Sequence, residues 1–334
     1  MQNTLPKIAI LHSAIVDANR PDEQDTLVQV AEIQRTLDAL GYVTTTLPFG
    51  EIAQVDQALR QSQVDVVFNL VESIQGKSEL LHFPALYLES IPLPFTGSSS
   101  SALFLTTHKV LAKVMMRSLG IPTAPWYYPY AEIGAQYEAL PGRCIIKPVA
   151  EEGSLGITSE SVVKGYDAMC QKHAQQCATY GGKWFTETFI EGREFNISVI
   201  ETPTGMRVLP IAEIQFSLDG ASPKMVTYDG KWTPEHPDYL GTTRHFPQTA
   251  ADQPLLDKLQ TLALQCWHGF ALRGYARMDV RVDEAGNPWV LEINANPCIS
   301  PDSGFVAAAA QADMTMEQVV QSIVESSIGE ITHV

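Results

Sequence analysis

The stretch 276–297, ARMDVRVDEAGNPWVLEINANP, constrains the fold more than any other part of this 334-residue chain. Two runs of alternating apolar and polar residues flank a polar turn, Glu284-Ala285-Gly286-Asn287, which is the pattern of an antiparallel hairpin. With Asp283 paired to Pro288, the ladder sets Asp279 opposite Glu292 and Arg277 opposite Asn294, all four on one face. Met278, Val280 and Val282, with Leu291 and Ile293, fall on the other face and are expected to meet a core.

Directly opposed carboxylates repel, so Asp279 and Glu292 cost stability unless a cation lies between them. One alternative is a solvated polar face on an edge hairpin; the other is a divalent ion. An all-oxygen donor set of Asp279, Glu292 and the Asn294 amide, with no His or Cys nearby, suits Mg²⁺, with Mn²⁺ as a substitute. Arg277 adds a fixed positive charge beside it. Asn294-Ala295-Asn296-Pro297 then ends the strand where a site would open.

Composition bounds what such a site can serve. At 45% hydrophobic and 18% charged the chain is an ordinary globular one with room for two or three domains. It has no apolar run of the roughly 18 to 20 residues a membrane span needs, and MQNTLPKIAILH lacks a signal peptide's basic start, so a cytoplasmic location is expected. Five cysteines (Cys144, Cys170, Cys177, Cys266 and Cys298) show no CxxC spacing and are expected to be reduced thiols. A net charge of -16 argues against nucleic acid and anionic membranes as partners. Small molecules are the expected partners, with a homodimer open, and a polyanion such as ATP would need local cations and metal.

Along the chain, strands are expected at 7–12, 42–47 and 64–70, with an amphipathic helix at 26–40, which together suggest a parallel α/β domain. No GxGxxG follows the first strand, so a nicotinamide dehydrogenase fits poorly. Glu72 stands just past the third strand, at the carboxyl end where open α/β sheets place ligands; a substrate role and a solvated acid are both open. The Pro-, Gly- and Ser-rich run 91–101 reads as a boundary, and a helix is expected at 109–119. A strand at 143–147 ends in Lys147-Pro148, and Glu151-Glu152-Gly153-Ser154-Leu155-Gly156-Ile157 is a loop whose glycines allow backbone N–H groups near phosphate. Further strands are expected at 183–189, 196–201 and 207–214. Residues 215–247 are long, polar and weakly periodic, as lids are. Helices at 255–270, 303–310 and 315–326 complete the chain.

Lys109, Lys147, the turn from Glu187 to Glu194 and the Arg277/Asp279/Glu292/Asn294 hairpin, taken in this order, resemble the ATP-grasp superfamily and, within it, the D-alanine-D-alanine ligase family. The resemblance covers nearly the whole chain and implies an α/β fold: an amino-terminal α/β domain (1–101), a small central domain (102–186) and a carboxyl-terminal catalytic domain (187–334). It implies an ATP-dependent, ADP-forming carboxylate-amine ligase that makes an amide bond through an acyl phosphate. Two alternatives stay open: a ligase of this fold acting on a specialised metabolite or other acid, and an ATP-binding protein without turnover.

Position by position, the resemblance makes Lys109 and Lys147 phosphate contacts, and sets Glu187, Phe189 and Ile190 at the adenine with Glu194 at the ribose. Ser154 would cover the β- and γ-phosphates, and Lys231 would reach the γ-phosphate from a mobile loop. Asp279, Glu292 and Asn294 would hold Mg²⁺, Arg277 would stabilise the oxyanion, and Ser303 would bind the acceptor's carboxylate. The chain also departs from the family. The amino-terminal GGxSxE, whose Glu holds the first ammonium, has no counterpart in 11–17, and the serine that works with it falls at Gly153. Trp232 replaces a tyrosine, Cys298 a glycine and Gly304 a leucine. A pair of D-alanines is therefore not expected to be the best substrate pair, unless Glu72 or Glu23 reaches in to hold the ammonium.

Overall fold

The computed structural model describes residues 5–130, 140, 142–151, 153–217 and 222–329. Glu152 of the glycine loop and residues 218–221 of the long polar segment lie outside them. The first strands and helices alternate as the sequence suggests: β1 (Lys7–Ser13), α1 (Pro21–Ala39), β2 (Val43–Phe49), α2 (Ile52–Ser62) and β3 (Val66–Leu70). They form a parallel sheet in the order β2-β1-β3. Helix α1 starts five residues before the expected 26, because Pro21 presets the first turn and Asp22 and Glu23 suit its positive end. Helix α2 was not expected, although Val55 and Leu59, its buried residues, lie one turn apart on one face, which was the available signal.

After α3 (Phe83–Glu89) the run 91–101 is a packed seam. Phe95 bridges Val67 in parallel, and Thr96 and Ser98 are wholly buried. Gly97 has φ +86°, and a Cβ there would land on the Asn296 carboxamide. That same carboxamide accepts from Ser98 N at 2.8 Å, joining the seam to the residue just past the metal-binding hairpin proposed from sequence.

Helix α4 (Ser100–Thr107), capped by Ser99, leads into α5 (Lys109–Ser118). Beyond it, β4 (Trp126–Tyr127), β5 (Cys144–Pro148), β6 (Val162–Val163), α6 (Tyr166–Tyr180) and β7 (Trp184–Thr188) build a four-stranded antiparallel sheet, β4-β7-β5-β6. The sequence reading missed α6. Its buried residues are Met169, Lys172 and Gln176, so its inner face carries no apolar stripe. Gly156 is required in the loop before it, since a Cβ would press on the rings of Trp184 and Tyr180.

The rest of the chain runs β8 (Arg193–Thr202), β9 (Gly205–Val208), β10 (Ala212–Phe216), α7 (Tyr228–Trp232), α8 (Pro237–Leu240), β11 (Thr242–His245), α9 (Gln253–Gly269), β12 (Tyr275–Val282), β13 (Pro288–Ala295), α10 (Gly304–Gln311) and α11 (Met316–Gly329). Its antiparallel sheet has the order β11-β10-β8-β12-β13, with β9 also on β8. The strand expected at 207–214 is two strands, broken around Pro210, which lacks an N–H for the ladder. Within the long polar segment, residues 222–247 carry more regular structure than their weak periodicity suggests. Helices α7 and α8 are too short to show a period, and the Thr227 and His236 side chains cap them.

Helix α9 buries Leu259, Leu262, Ala263, Cys266 and Trp267 against β8, β12 and β13. Helices α10 and α11 pack Phe305, Val320 and Ile323 onto Ile8, Ile10 and Phe68 of the first sheet, so the two ends of the chain share one core. Burial of apolar area, at roughly 25 cal/mol per Å², stabilises this shared core. Among the described residues no helix is long and apolar enough to cross a membrane. All five cysteines are free thiols.

Candidate active site

The hairpin β12-β13 has the expected pairing at its working end: Asp279 faces Glu292 and Arg277 faces Asn294. Nearer the turn, the register shifts by one between Asp279 and Val280, so Val282 and not Asp283 pairs with Pro288. The shift is a β-bulge, and it changes a second expectation as well. Leu291 turns into the cavity instead of the core, and Val290 takes the buried place beside Val280. Asp283 instead closes the turn, accepting from Asn287 N at 2.8 Å and from Trp289 Nε1 at 3.0 Å.

The polar face of this hairpin lines a cavity of about 600 Å³ bounded by all three sheets. All the residues singled out from sequence lie on its wall: Glu72, Lys109, Lys147, Ser154, Glu187, Phe189, Ile190, Glu194, Lys231, Trp232, Arg277, Asp279, Glu292, Asn294 and Ser303. Strands β1 and β3 bring their carboxyl ends to it, where Ser13 Oγ accepts from Glu72 N and Ser73 N at 3.0 Å each.

The charges are arranged in pairs. Arg277 grips Asp279 through Nε and Nη2 at 2.7 and 2.9 Å. Burial alone would lower the Arg277 pKa, but the Asp279 charge and hydrogen bonds raise it. Asn294 Nδ2 lies 3.3 Å from both Asp279 Oδ2 and Glu292 Oε1, so the three side chains meet at one point. Burial pushes the Glu292 carboxyl up, and Lys109, Lys231, Lys147 and Arg277 outweigh that and hold it well below its ordinary value. Lys109 Nζ stands 3.6 Å from Glu292 Oε2 and donates to Glu151 O at 2.7 Å.

This geometry fits Mg²⁺. Among the described residues there is no cluster of three or more His, Cys, Asp or Glu. Two carboxylates and an amide suit an ion that takes its remaining ligands from water and phosphates. Asp279 Oδ1 accepts from both Arg277 Nε and Asn196 Nδ2, so Oδ2, which accepts from Arg277 Nη2 and is released when the Asn294 amide turns, is the oxygen with a lone pair for a metal. Amide oxygen and nitrogen are assigned from the hydrogen-bond network, and turning Asn294 about its last torsion presents its oxygen.

Four important residues were not singled out from sequence. Lys113 is fully buried, one helical turn from Lys109, and meets Glu187 Oε2 at 2.6 Å while Lys147 meets Oε1 at 2.7 Å. The carboxylate expected beside adenine is thus shared by two ammonium groups. Burial pushes the Glu187 carboxyl up, but the two lysines reverse that and hold it low. The four-residue spacing of the two lysines was the available signal. Arg281 pairs with Glu194 at 3.3 Å, donates to Lys224 O and Gly192 O, and lies over the Phe189 ring. Asn196 on β8 donates to Asp279 Oδ1 at 2.8 Å, a neighbour fixed by strand order and not by spacing. Arg244 on β11 is the fourth.

The glycine loop has left-handed backbone at Gly153, Ser154 and Gly156. Trp232 Nε1 donates to Gly153 O at 3.0 Å, and Tyr228 N donates to Ile157 O at 2.9 Å, so α7 lies along the loop. Tyr228 Oη also reaches Asp22 at 3.2 Å across the cavity mouth. Glu23 is turned to the backbone, accepting from Val16 N and Asp17 N, with Arg20 at 3.6 Å. Glu72 faces the cavity and accepts from Gln29 Nε2 at 3.1 Å.

A nucleotide-sized cavity between two antiparallel sheets, with lysines on one side and a carboxylate hairpin on the other, defines a protein of the ATP-grasp class. The D-ala D-ala ligase C-terminus family matches residues 115–325, and the chain belongs to the D-alanine-D-alanine ligase family. It is 27% identical over 335 residues to the D-alanine-D-alanine ligase of a Marinomonas species, covering 98% of each chain. It is 30% identical over 264 residues to protein y4sG of Sinorhizobium fredii, covering 78% of this chain and 74% of that one. The solved D-alanine-D-alanine ligase of Bacillus anthracis superposes with a TM-score of 0.76 at 18% identity, over 98% of this chain and 99% of that one. A structure of the same ligase complexed with ATP gives 0.74.

Proposed function

We propose that the chain joins a carboxylic acid to an amine at the expense of ATP, through an acyl phosphate, as a D-alanine-D-alanine ligase-like enzyme. The observation that carries the reading is the convergence of Arg277, Asp279, Glu292 and Asn294 on one cavity with Lys109, Lys147 and Lys231. Relatives along nearly the whole chain are D-alanine-D-alanine ligases, and one solved neighbour was complexed with ATP. In this reading residues 1–101, 102–186 and 187–334 act as three units around the nucleotide.

Asp279, Glu292 and Asn294 would hold Mg²⁺, which neutralises charge on the transferred phosphoryl group. Lys109, Lys147 and Lys231 supply the protein's own positive charge there. Ser154 and the left-handed loop around it cover the phosphates, with Trp232 fastening α7 over them to exclude water from an acyl phosphate. Phe189 and Ile190 form the adenine wall and Glu194, fixed by Arg281, the ribose contact. Arg277, held rigid by Asp279, faces the oxyanion of the tetrahedral intermediate; loss of one such donor typically costs about 2.7 to 4 kcal/mol. Glu72 meets the ammonium of the first amino acid, since Glu23 is engaged by backbone N–H groups. Ser303 caps α10 through its lone pair, accepting from Val306 N, and keeps its hydroxyl proton for the acceptor's carboxylate.

A matrix of acids and amines, D-alanine included, screened for MgATP-dependent ADP release with products read by mass spectrometry, tests the reading. Amide products with stoichiometric ADP are expected. ATP binding without ADP release across the whole matrix would point to a protein without turnover.

A further inference from the structure

Arg244 is the one cavity guanidinium without a partner among the described residues. It sits on β11, paired with Ile214, and its side chain lies along the mouth of α10: a Cβ on Gly304 would be 3.5 Å from Nη2 and 3.8 Å from Nε. The side chains of the other cavity arginines are committed: Arg20 to Asp22, Arg277 to Asp279 and Arg281 to Glu194. Arg244 makes no hydrogen bond or ion pair among the described residues. Among the described residues Asp302 is the one carboxylate that acts on it electrostatically, and Asp302 accepts from Ser300 Oγ at 3.2 Å. Arg244 is an exposed residue at the rim of the cavity, lowered in pKa by desolvation and by the neighbouring Arg277, so solvent and not a described protein carboxylate pairs with its guanidinium.

Ligation of two neutral amino acids brings two carboxylates into this cavity, and both have places in the reading above. The donor's is activated among the lysines and the hairpin carboxylates, and the acceptor's meets Ser303. A further unmatched guanidinium, placed where a glycine leaves space beside Ser303, fits a third acid group. We propose that Arg244 binds an additional carboxylate on one of the two substrates and makes this ligase selective for a dicarboxylic partner. The inference rests on the ligase reading for the site and adds the substrate class. A bidentate guanidinium-carboxylate contact, with its two parallel N–H···O bonds, is the geometrically specific form of such recognition.

The test measures binding and turnover separately, each with an acid and its neutral isostere. Calorimetric titration of the MgADP-loaded protein compares aspartate with asparagine and glutamate with glutamine, in both stereoisomers, and succinate with succinamate. Amino diacids report an acceptor or donor carrying the extra group, whereas succinate has no amine and reports a donor alone. In wild type at least one acid is expected to bind roughly tenfold or more tightly than its isostere. Arg244→Gln should bring that ratio to about one and Arg244→Lys should keep part of it, with MgATP still raising the melting temperature of both variants. The proposal is overturned if no acid exceeds its isostere in wild type, or if the ratio is the same in Arg244→Gln. ADP release with the same pairs reads the ligase assignment: selective binding without ADP release would remove the ligase reading and leave the Arg244 anion site standing.

Discussion

Lys113 Nζ and Glu187 Oε2 meet at 2.6 Å with both side chains 1% exposed, and they tie α5 to β7 beneath the cavity floor. Lys113 also donates to Thr123 Oγ1 at 2.7 Å, which donates to Val290 O at 2.8 Å, so one hydrogen-bonded relay through the half-buried Thr123 reaches from the central sheet to the hairpin. Breaking a buried pair by removing one partner costs about 3 to 5 kcal/mol, because the other charge stays buried. Lys113→Met is expected to lose about that much in urea unfolding, and Lys113→Met with Glu187→Leu to lose less than the two single changes combined.

The same pair sets a pH dependence. The folded Glu187 carboxyl lies below its ordinary value of 4.5, so its contribution is fully present above that value. It is lost as pH falls through the lower folded pKa, since the unfolded state then takes up the proton first. Unfolding free energy measured from pH 6 down to pH 3 should fall less steeply in Glu187→Gln than in wild type. Equal slopes would mean that Glu187 titrates as an exposed acid.

Asp279→Asn and Glu292→Gln should each abolish ADP formation while leaving the circular dichroism spectrum and a cooperative melt intact. Asp279→Asn weakens the pair with Arg277 and Glu292→Gln removes the charge that Lys109 faces, but neither opens the core, because the site face is polar and Met278, Val280 and Ile293 are untouched. Near-wild-type turnover of either variant at saturating Mg²⁺ would remove the hairpin from the chemistry.

Helix α7 is held over the glycine loop mainly by the Trp232-Gly153 and Tyr228-Ile157 hydrogen bonds, and none of its residues is buried. Segments with so little burial open at low cost. Limited proteolysis within 215–247 should slow when MgATP is added and quicken in Trp232→Phe, which lacks the indole N–H. Identical cleavage in all three cases would make the segment a fixed wall and not a lid.

Gly97→Ala should destabilise the protein by more than about 2 kcal/mol, since it sets a β-carbon against the Asn296 carboxamide at a left-handed position. Asn296→Ala in the same background should recover part of the loss. A chemical-denaturation cycle of the four proteins measures the coupling, and additive losses would show that the two residues do not clash.

Local periodicity was enough for the first sheet, for α5 and for the working end of the hairpin, because β1, β3 and β12 alternate or run apolar and a side chain's face follows from its place in the strand. That placed Arg277, Asp279, Glu292 and Asn294 on one face before any contact was known. The bulge that sends Leu291 into the cavity was not readable, since the ladder slips by one residue at no cost visible in either strand alone. Helix α6 and the short α7 and α8 were unreadable for the opposite reason: a polar inner face or a single turn leaves no period.

Residues 276–297 by themselves determined the charged face of the site, because side-chain direction along a strand is a local property of the backbone. Only the tertiary structure decided what those charges meet. Strand order set Asn196 beside Asp279, helix packing buried Lys113 against Glu187, and edge strand β11 carried Arg244 to the end of α10, about sixty residues further along the chain. Such partners are chosen by which surfaces bury together, and the free energy of that choice belongs to the whole core and not to any one stretch of sequence.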